Sequence, residues 1–154
     1  VSFGTGWLLT QYADRFEAHG VDLNQKMLQI ATRNLQRRGL TAQLQLANVE
    51  ALPYPDETFD TVLNTMAFTG YPDATTAMGQ LSRVLKADGE LVMIDLNYPH
   101  DDNRAGRAFV ALGQRFGDLV RDMGPVFHAA GLHASDEEIG GFGSIHLYRA
   151  CKRA

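Results

Sequence analysis

The sequence predicts an α/β protein with a doubly wound, mostly parallel sheet, helices on both faces and a C-terminal antiparallel hairpin. Three observations carry this. Strand-like and helix-like patterns alternate along most of the chain. "TVLNTM" and "ELVMIDL" are continuous apolar runs, as found in parallel strands covered on both faces. A glycine-bearing "FGTG" is followed, 18 positions after Gly4, by Asp22 at the predicted end of a strand.

Each element has its own signal. "WLLTQYADR" predicts a short helix, with Trp7 and Tyr12 packing it, and "FEAHGVD" a strand ending at Asp22. Met27, Leu28, Ala31 and Leu35 share one face of a helix from about Asn24 to Arg38, terminated by Gly39. "AQLQLA" alternates leucine with glutamine, which suits an edge strand, and the loop "NVEALPYPDETFD" follows it. Between the two apolar runs, Asp73 caps a helix carrying Ala74, Ala77, Met78, Leu81, Val84 and Leu85 on its buried face. Apolar residues from Ala105 to Met123 predict one long amphipathic helix, stopped by Gly124 and Pro125, with "PVFHAAG" as a second, short helix. Phe109, Phe116 and Phe127 are expected in the core. "HASDEEI" and "SIHLYRA" flank Gly140, Gly141 and Gly143 and read as a closing hairpin.

Size and charge narrow the function. At 154 residues and 45% apolar content, one domain spanning 1–154 is expected, with 97–124 as an added segment on the substrate side. The net charge of −4, with scattered Lys and Arg, disfavours nucleic acid as a partner. One cysteine, Cys151, allows no intrachain disulfide and points to a reducing compartment, hence the cytoplasm. No apolar run approaches the ~20 residues of a membrane span. The chain opens on Val1 rather than Met, so upstream residues are expected to precede it and the first strand to be largely missing.

Gly4 and Gly6 allow close approach of backbone to a ligand, and a helix beginning at Trp7 would aim free N–H groups at an anion. Leu9 stands where a dinucleotide fingerprint needs its third glycine. Asp22 suits a ribose, since a carboxylate accepts from both hydroxyls; its plain alternative is capping the helix that begins near Asn24.

Taken in order, "FGTG", "GVDLNQKM", "NVEALPYPDETFD", "TVLNTMAF" and "LSRVLKADGELVMID" resemble the class I S-adenosylmethionine-dependent methyltransferases. The branch with ubiquinone and menaquinone C-methyltransferases is the nearest in wording. The resemblance implies a Rossmann-like fold and S-adenosyl-L-methionine as cofactor, with S-adenosyl-L-homocysteine as product. It also implies cofactor contacts from Ser2, Phe3, Gly4, Thr5 and Gly6 to the methionine part and from Asp22 to the ribose. Leu23 and Met27 would border the adenine, Asn48 and the Val49 backbone would read its edge, and Asn64 joins the same set. The family's usual acid before the loop would fall ahead of Val1, Ser2 replaces its first glycine, and Asn48 replaces its usual Asp. Thr69 and Gly70 stand where many relatives carry a His pair.

The implied reaction is in-line methyl transfer to a small-molecule acceptor, which needs positioning more than side-chain chemistry. No general base stands out. Tyr98, Arg104 and Arg107 are the candidate acceptor contacts, although exposed helical arginines are more often solvated charges. No metal is expected: His100, beside Asp101 and Asp102, reads as a surface loop, and the remaining histidines as structural or exposed. A non-catalytic protein retaining the fold and a nicotinamide-dependent oxidoreductase are the alternatives. Oligomeric state and acceptor identity stay open.

Overall fold

The computed structural model of the chain describes residues 1–153. They form two compact units, Val1–Pro53 and the remainder from Tyr54 onward.

In the first unit, β1 (His19–Asp22) pairs in parallel with β2 (Gln43–Leu46), and α1 (Gln25–Arg37) connects them as a right-sized crossover. Asn24 is the N-cap of α1, accepting from the Lys26 and Met27 amides. The predicted first helix is reduced to one 3₁₀ turn, Leu9–Gln11, so no N-terminal row of helical amides forms there. β1 is also shorter than predicted: Phe16 is exposed and lies outside it. Leu9, Ala13, Ala18 and Leu35 form the core, with Phe3, Tyr12 and Leu44 packed around them. Trp7, expected in that packing, is 63% exposed.

The carbonyls of Ala18 and Asp22 accept from the Gln43 amide at the start of β2 and the Ala47 amide just past its end. The intervening Val21 carbonyl points to the opposite edge, because successive carbonyls alternate in a strand, and there it accepts from the Ser2 amide at 2.8 Å. The residues entering the glycine loop therefore run beside β1.

The second unit holds a four-stranded sheet in the order β3-β4-β6-β5. β3 (Phe59–Thr65) and β4 (Leu85–Leu96) are parallel; β6 (Ile145–Lys152) is antiparallel to both β4 and β5 (Leu132–Gly140). The closing hairpin thus inserts its last strand beside β4. α2 (Ala74–Val84) is capped by Asp73 as expected and buries Ala77, Met78, Leu81 and Val84. Leu85, placed by its spacing on that helix, instead begins β4.

"YPDETFD" and "RVLKADGEL", from two of the stretches that carry the resemblance, lie against each other. The Arg83 guanidinium donates to the Tyr54 carbonyl at 2.7 Å and to Asp56 at 2.8 Å. The Glu57 and Thr58 amides donate to the Arg83 and Val84 carbonyls. Lys86 pairs with Asp60 at 2.7 Å, and this contact lowers the Asp60 pKa and raises that of Lys86. These stretches clasp the loop before β3 to the end of α2.

The largest correction concerns the long helix. α3 covers only Arg104–Arg115, and a separate α4 (Met123–Ala129) follows. The chain leaves α3 through Gly117, whose φ of +109° breaks the helix. Leu119 then donates to the Thr69 carbonyl at 2.7 Å and Asp118 accepts from the Thr69 hydroxyl at 3.2 Å. Asp122 caps α4, so Gly124 and Pro125 occupy its first turn rather than ending α3. Of the three phenylalanines expected in the core only Phe127 is buried; Phe109 and Phe116 are exposed, as are Leu112 and Leu119. No described helix is long and apolar enough to cross a membrane.

Candidate active site

In the first unit, the glycine loop and the acid at the end of β1 are joined directly. The Gly4 amide donates to Asp22 Oδ2 at 2.8 Å, and the Asn24 amide to Asp22 Oδ1 at 2.9 Å. The carboxylate thus ties the loop to the start of α1 while Asn24, not Asp22, caps the helix. A carboxylate offers about four lone-pair positions, so each oxygen keeps capacity for one further donor.

The two glycines do different work. At Gly6, with φ +72°, an added Cβ would lie 2.7 Å from the Ala31 Cβ, so this residue lets the loop pack on α1. At Gly4, with φ +54°, an added Cβ would meet nothing, so the backbone there faces open space. Asn34 donates to the Thr5 carbonyl at 2.9 Å and holds the far side of the loop on α1. Ser2 also has a positive φ, 54°, a conformation natural to glycine and strained for serine.

Next to Asp22, Leu23 is 71% exposed, a large apolar side chain in water, and Met27 is half-buried one helical turn away. Asn48 ends the chain segment after β2; its side-chain oxygen accepts from the Glu50 amide at 3.1 Å and caps a 3₁₀ turn that begins with the buried Val49. Phe3 reaches back over Gly20, where an added Cβ would lie 2.7 Å from its ring.

The second unit holds the other residues singled out by sequence. Asn64 is fully buried on β3; its amide donates to the Tyr71 hydroxyl at 2.8 Å, and its side-chain oxygen has no partner among the described residues. Tyr98 is partly exposed, with the Arg107 guanidinium over its ring at 5.9 Å. Arg107 also pairs with Asp102, so its charge is engaged, whereas Arg104 is exposed one turn away.

Two clusters escaped the sequence reading. Asp95, buried at the end of β4, accepts at Oδ2 from the Ala67, Phe68 and Thr69 amides and at Oδ1 from the Leu96 amide and the Thr69 hydroxyl. This fixes the turn after β3, where Thr69 and Gly70 stand. His100 does not pair with its neighbours Asp101 and Asp102 but lies against Asp136 and Glu138. The signal for it was the hairpin register: Asp136 and Glu138, two apart on β5, share a face with the residues opposite them on β6, His146 among these.

Comparison with known proteins shows the family and the fold. The methyltransferase domain family matches residues 1–93. A demethylmenaquinone methyltransferase from Thermus thermophilus is 38% identical over 99 residues, covering 62% of this chain and 45% of its own length. The ubiquinone/menaquinone biosynthesis C-methyltransferase UbiE of a Marinomonas species is 29% identical over 108 residues, covering 66% of this chain and 43% of its own length. This chain therefore spans less than half the length of these curated relatives. Among solved structures, YcgJ from Bacillus subtilis superposes with a TM-score of 0.81 at 21% identity, over 99% of this chain and 90% of that one, which shows a shared fold. With a Gly4–Asp22 linkage at the head of a βα unit and a family match over more than half its residues, this chain belongs to the methyltransferase domain family.

Proposed function

We propose that the chain binds S-adenosyl-L-methionine through its first unit and serves methyl transfer to an apolar small-molecule acceptor, with S-adenosyl-L-homocysteine as product. The Gly4–Asp22 hydrogen bond carries this reading. It holds a loop with open space above its backbone beside a carboxylate with acceptor capacity left.

The residues fit the group. Asp22 accepts from the ribose hydroxyls, and the exposed Leu23 with Met27 gives the adenine an apolar flank whose burial is favourable. Ser2, Phe3, Gly4, Thr5 and Gly6 supply backbone to the amino-acid end. Asn48 and the Val49 backbone read the adenine edge, without the charge an aspartate would bring. Asn64, which the resemblance adds to this set, lies fully buried on β3 of the second unit, where its amide donates to the Tyr71 hydroxyl. When bound, the cofactor supplies an electrophilic methyl group on a sulfonium. The protein's part is to orient an acceptor in line with it and to exclude water.

For the acceptor, Tyr98 and the exposed apolar side chains Phe109, Leu112, Phe116 and Leu119 support an apolar molecule. Quinone precursors, for which relatives in the family are named, are one such class. Arg104 remains available to an anionic group on it.

Calorimetry of the chain against S-adenosyl-L-methionine, S-adenosyl-L-homocysteine and NAD tests the proposal. Binding of the first two alone is expected. Binding of NAD alone overturns it in favour of an oxidoreductase, and binding of none favours a non-catalytic protein on the same fold.

A further inference from the structure

The second unit carries a cluster that the methyl-transfer reading does not use. His100 follows β4, Asp136 and Glu138 lie two apart on β5, and His146 lies on β6 directly across from Glu138. His146 Nδ1 stands 2.6 Å from Asp136 Oδ1, and His100 Nε2 stands 3.1 Å from Asp136 Oδ2. His100 Nδ1 is 3.4 Å from Glu138 Oε1, and the His100 amide also donates to that carboxylate.

We propose that His100, Asp136 and His146 form a binding site for a divalent transition-metal ion of the zinc class. One ligand atom from each residue lies within 4.8 Å of the others. An ion about 2.0–2.2 Å from each imidazole nitrogen and carboxylate oxygen places its ligands roughly 3–4 Å apart, so small side-chain adjustments close the set. Two imidazoles and one carboxylate suit zinc, cobalt or nickel; calcium and magnesium need more oxygen ligands than these residues give.

The cluster is built rather than accidental in two respects. His146 is fully buried, stacked on Tyr148 at 5.8 Å and met edge-on by His100 at 5.0 Å, so its ring is already fixed in place. Its Nε2 and the Ser144 hydroxyl are both buried without hydrogen-bond partners among the described residues. Coordination through Nδ1 leaves the proton on Nε2. Nδ1, which faces Asp136, is then the nitrogen that would bind the ion. Glu138 stands ready beside His100 as a further ligand or as the group that orients it. The ion would fasten the loop containing Tyr98 to the closing hairpin.

Cobalt(II) titration of the folded chain, followed by visible absorption, tests this. A saturable band at equimolar cobalt, displaced by zinc, is expected. His100→Ala, at a half-exposed side chain, and Asp136→Asn should each weaken cobalt by roughly tenfold or more, while Glu137→Gln should not. Far-UV circular dichroism checks that each variant is folded. Absence of a saturable band, or a band unchanged in both folded variants, overturns the proposal. The first result leaves a hydrogen-bonded cluster only, and the second puts the ion on other histidines such as His128 or His133.

Discussion

Gly4 and Asp22, 18 residues apart, are joined by a 2.8 Å hydrogen bond from the loop amide to the carboxylate at the end of β1. One side chain thereby sets the loop and is the proposed ribose acceptor. Asp22→Asn keeps an oxygen for one amide and removes the charge. Loss of a charged hydrogen bond costs about 1.5–3 kcal/mol, so S-adenosyl-L-homocysteine affinity should fall by roughly ten- to a hundredfold. Calorimetry on the variant checks this; unchanged affinity rules out the ribose assignment.

Ser2 sits at φ 54°, where a non-glycine residue is strained by about 1–2 kcal/mol. Ser2→Gly should therefore stabilise the first unit by about 1 kcal/mol, less the added freedom glycine has in the unfolded chain. Urea denaturation of the two proteins side by side measures it. A lower midpoint in the variant would mean that contacts of the serine outweigh the strain.

Asp95 receives three backbone amides at one oxygen and a hydroxyl and an amide at the other. Asp95→Ala leaves these buried donors unpaired, at about 1–3 kcal/mol for each that water cannot reach. The expected result is a chain that unfolds at much lower urea. Thr69→Val is the milder test: it removes only the hydroxyl shared between Asp95 and Asp118 and should loosen the segment after α3, read as faster amide exchange at Leu119.

Burial raises the Tyr148 pKa well above its ordinary value, against a smaller opposing effect of the Asn97 amide, which donates to its hydroxyl at 2.7 Å. The folded state therefore holds this proton more tightly than the unfolded state. The stabilisation is fully present below the unfolded pKa of about 10 and is lost as pH rises beyond it. Stability should fall on the alkaline side, and Tyr148→Phe should flatten that limb. Denaturation midpoints across an alkaline series test the sign.

The packed face of α2 shows how local periodicity translates into stability. Leu81 is completely buried, and Leu81→Ala should cost about 2–5 kcal/mol by thermal or urea unfolding.

Elements governed by local rules were legible in the sequence. The spacing of Ala77, Met78 and Leu81, the Asp73 cap and the alternation in "AQLQLA" depend on neighbours a few residues away, and the structure follows them. The long helix failed because its apolar period continues through Phe116 and Leu119, whereas Gly117 and the distant Thr69 stop it; the tertiary hydrogen bonds outweigh the pattern. The exposed Phe109 and Phe116 fail for the same reason, since a helical stripe says which residues share a face but not whether anything covers it. Asp22 was visible because its partner lies in a recognisable loop. The His100 and Asp136 pairing was not, because it depends on strand register, which a one-residue slip would move to the other face.

Among the described residues β2 is bonded on one side only, to β1, and its glutamines and leucines are largely open to solvent. An edge of this kind is a template: its unpaired amides and carbonyls accept any extended chain of suitable register. Gln43 to Leu46 carries none of the lysines or prolines that usually guard such edges, and a lysine at Gln45 is the simplest guard to add.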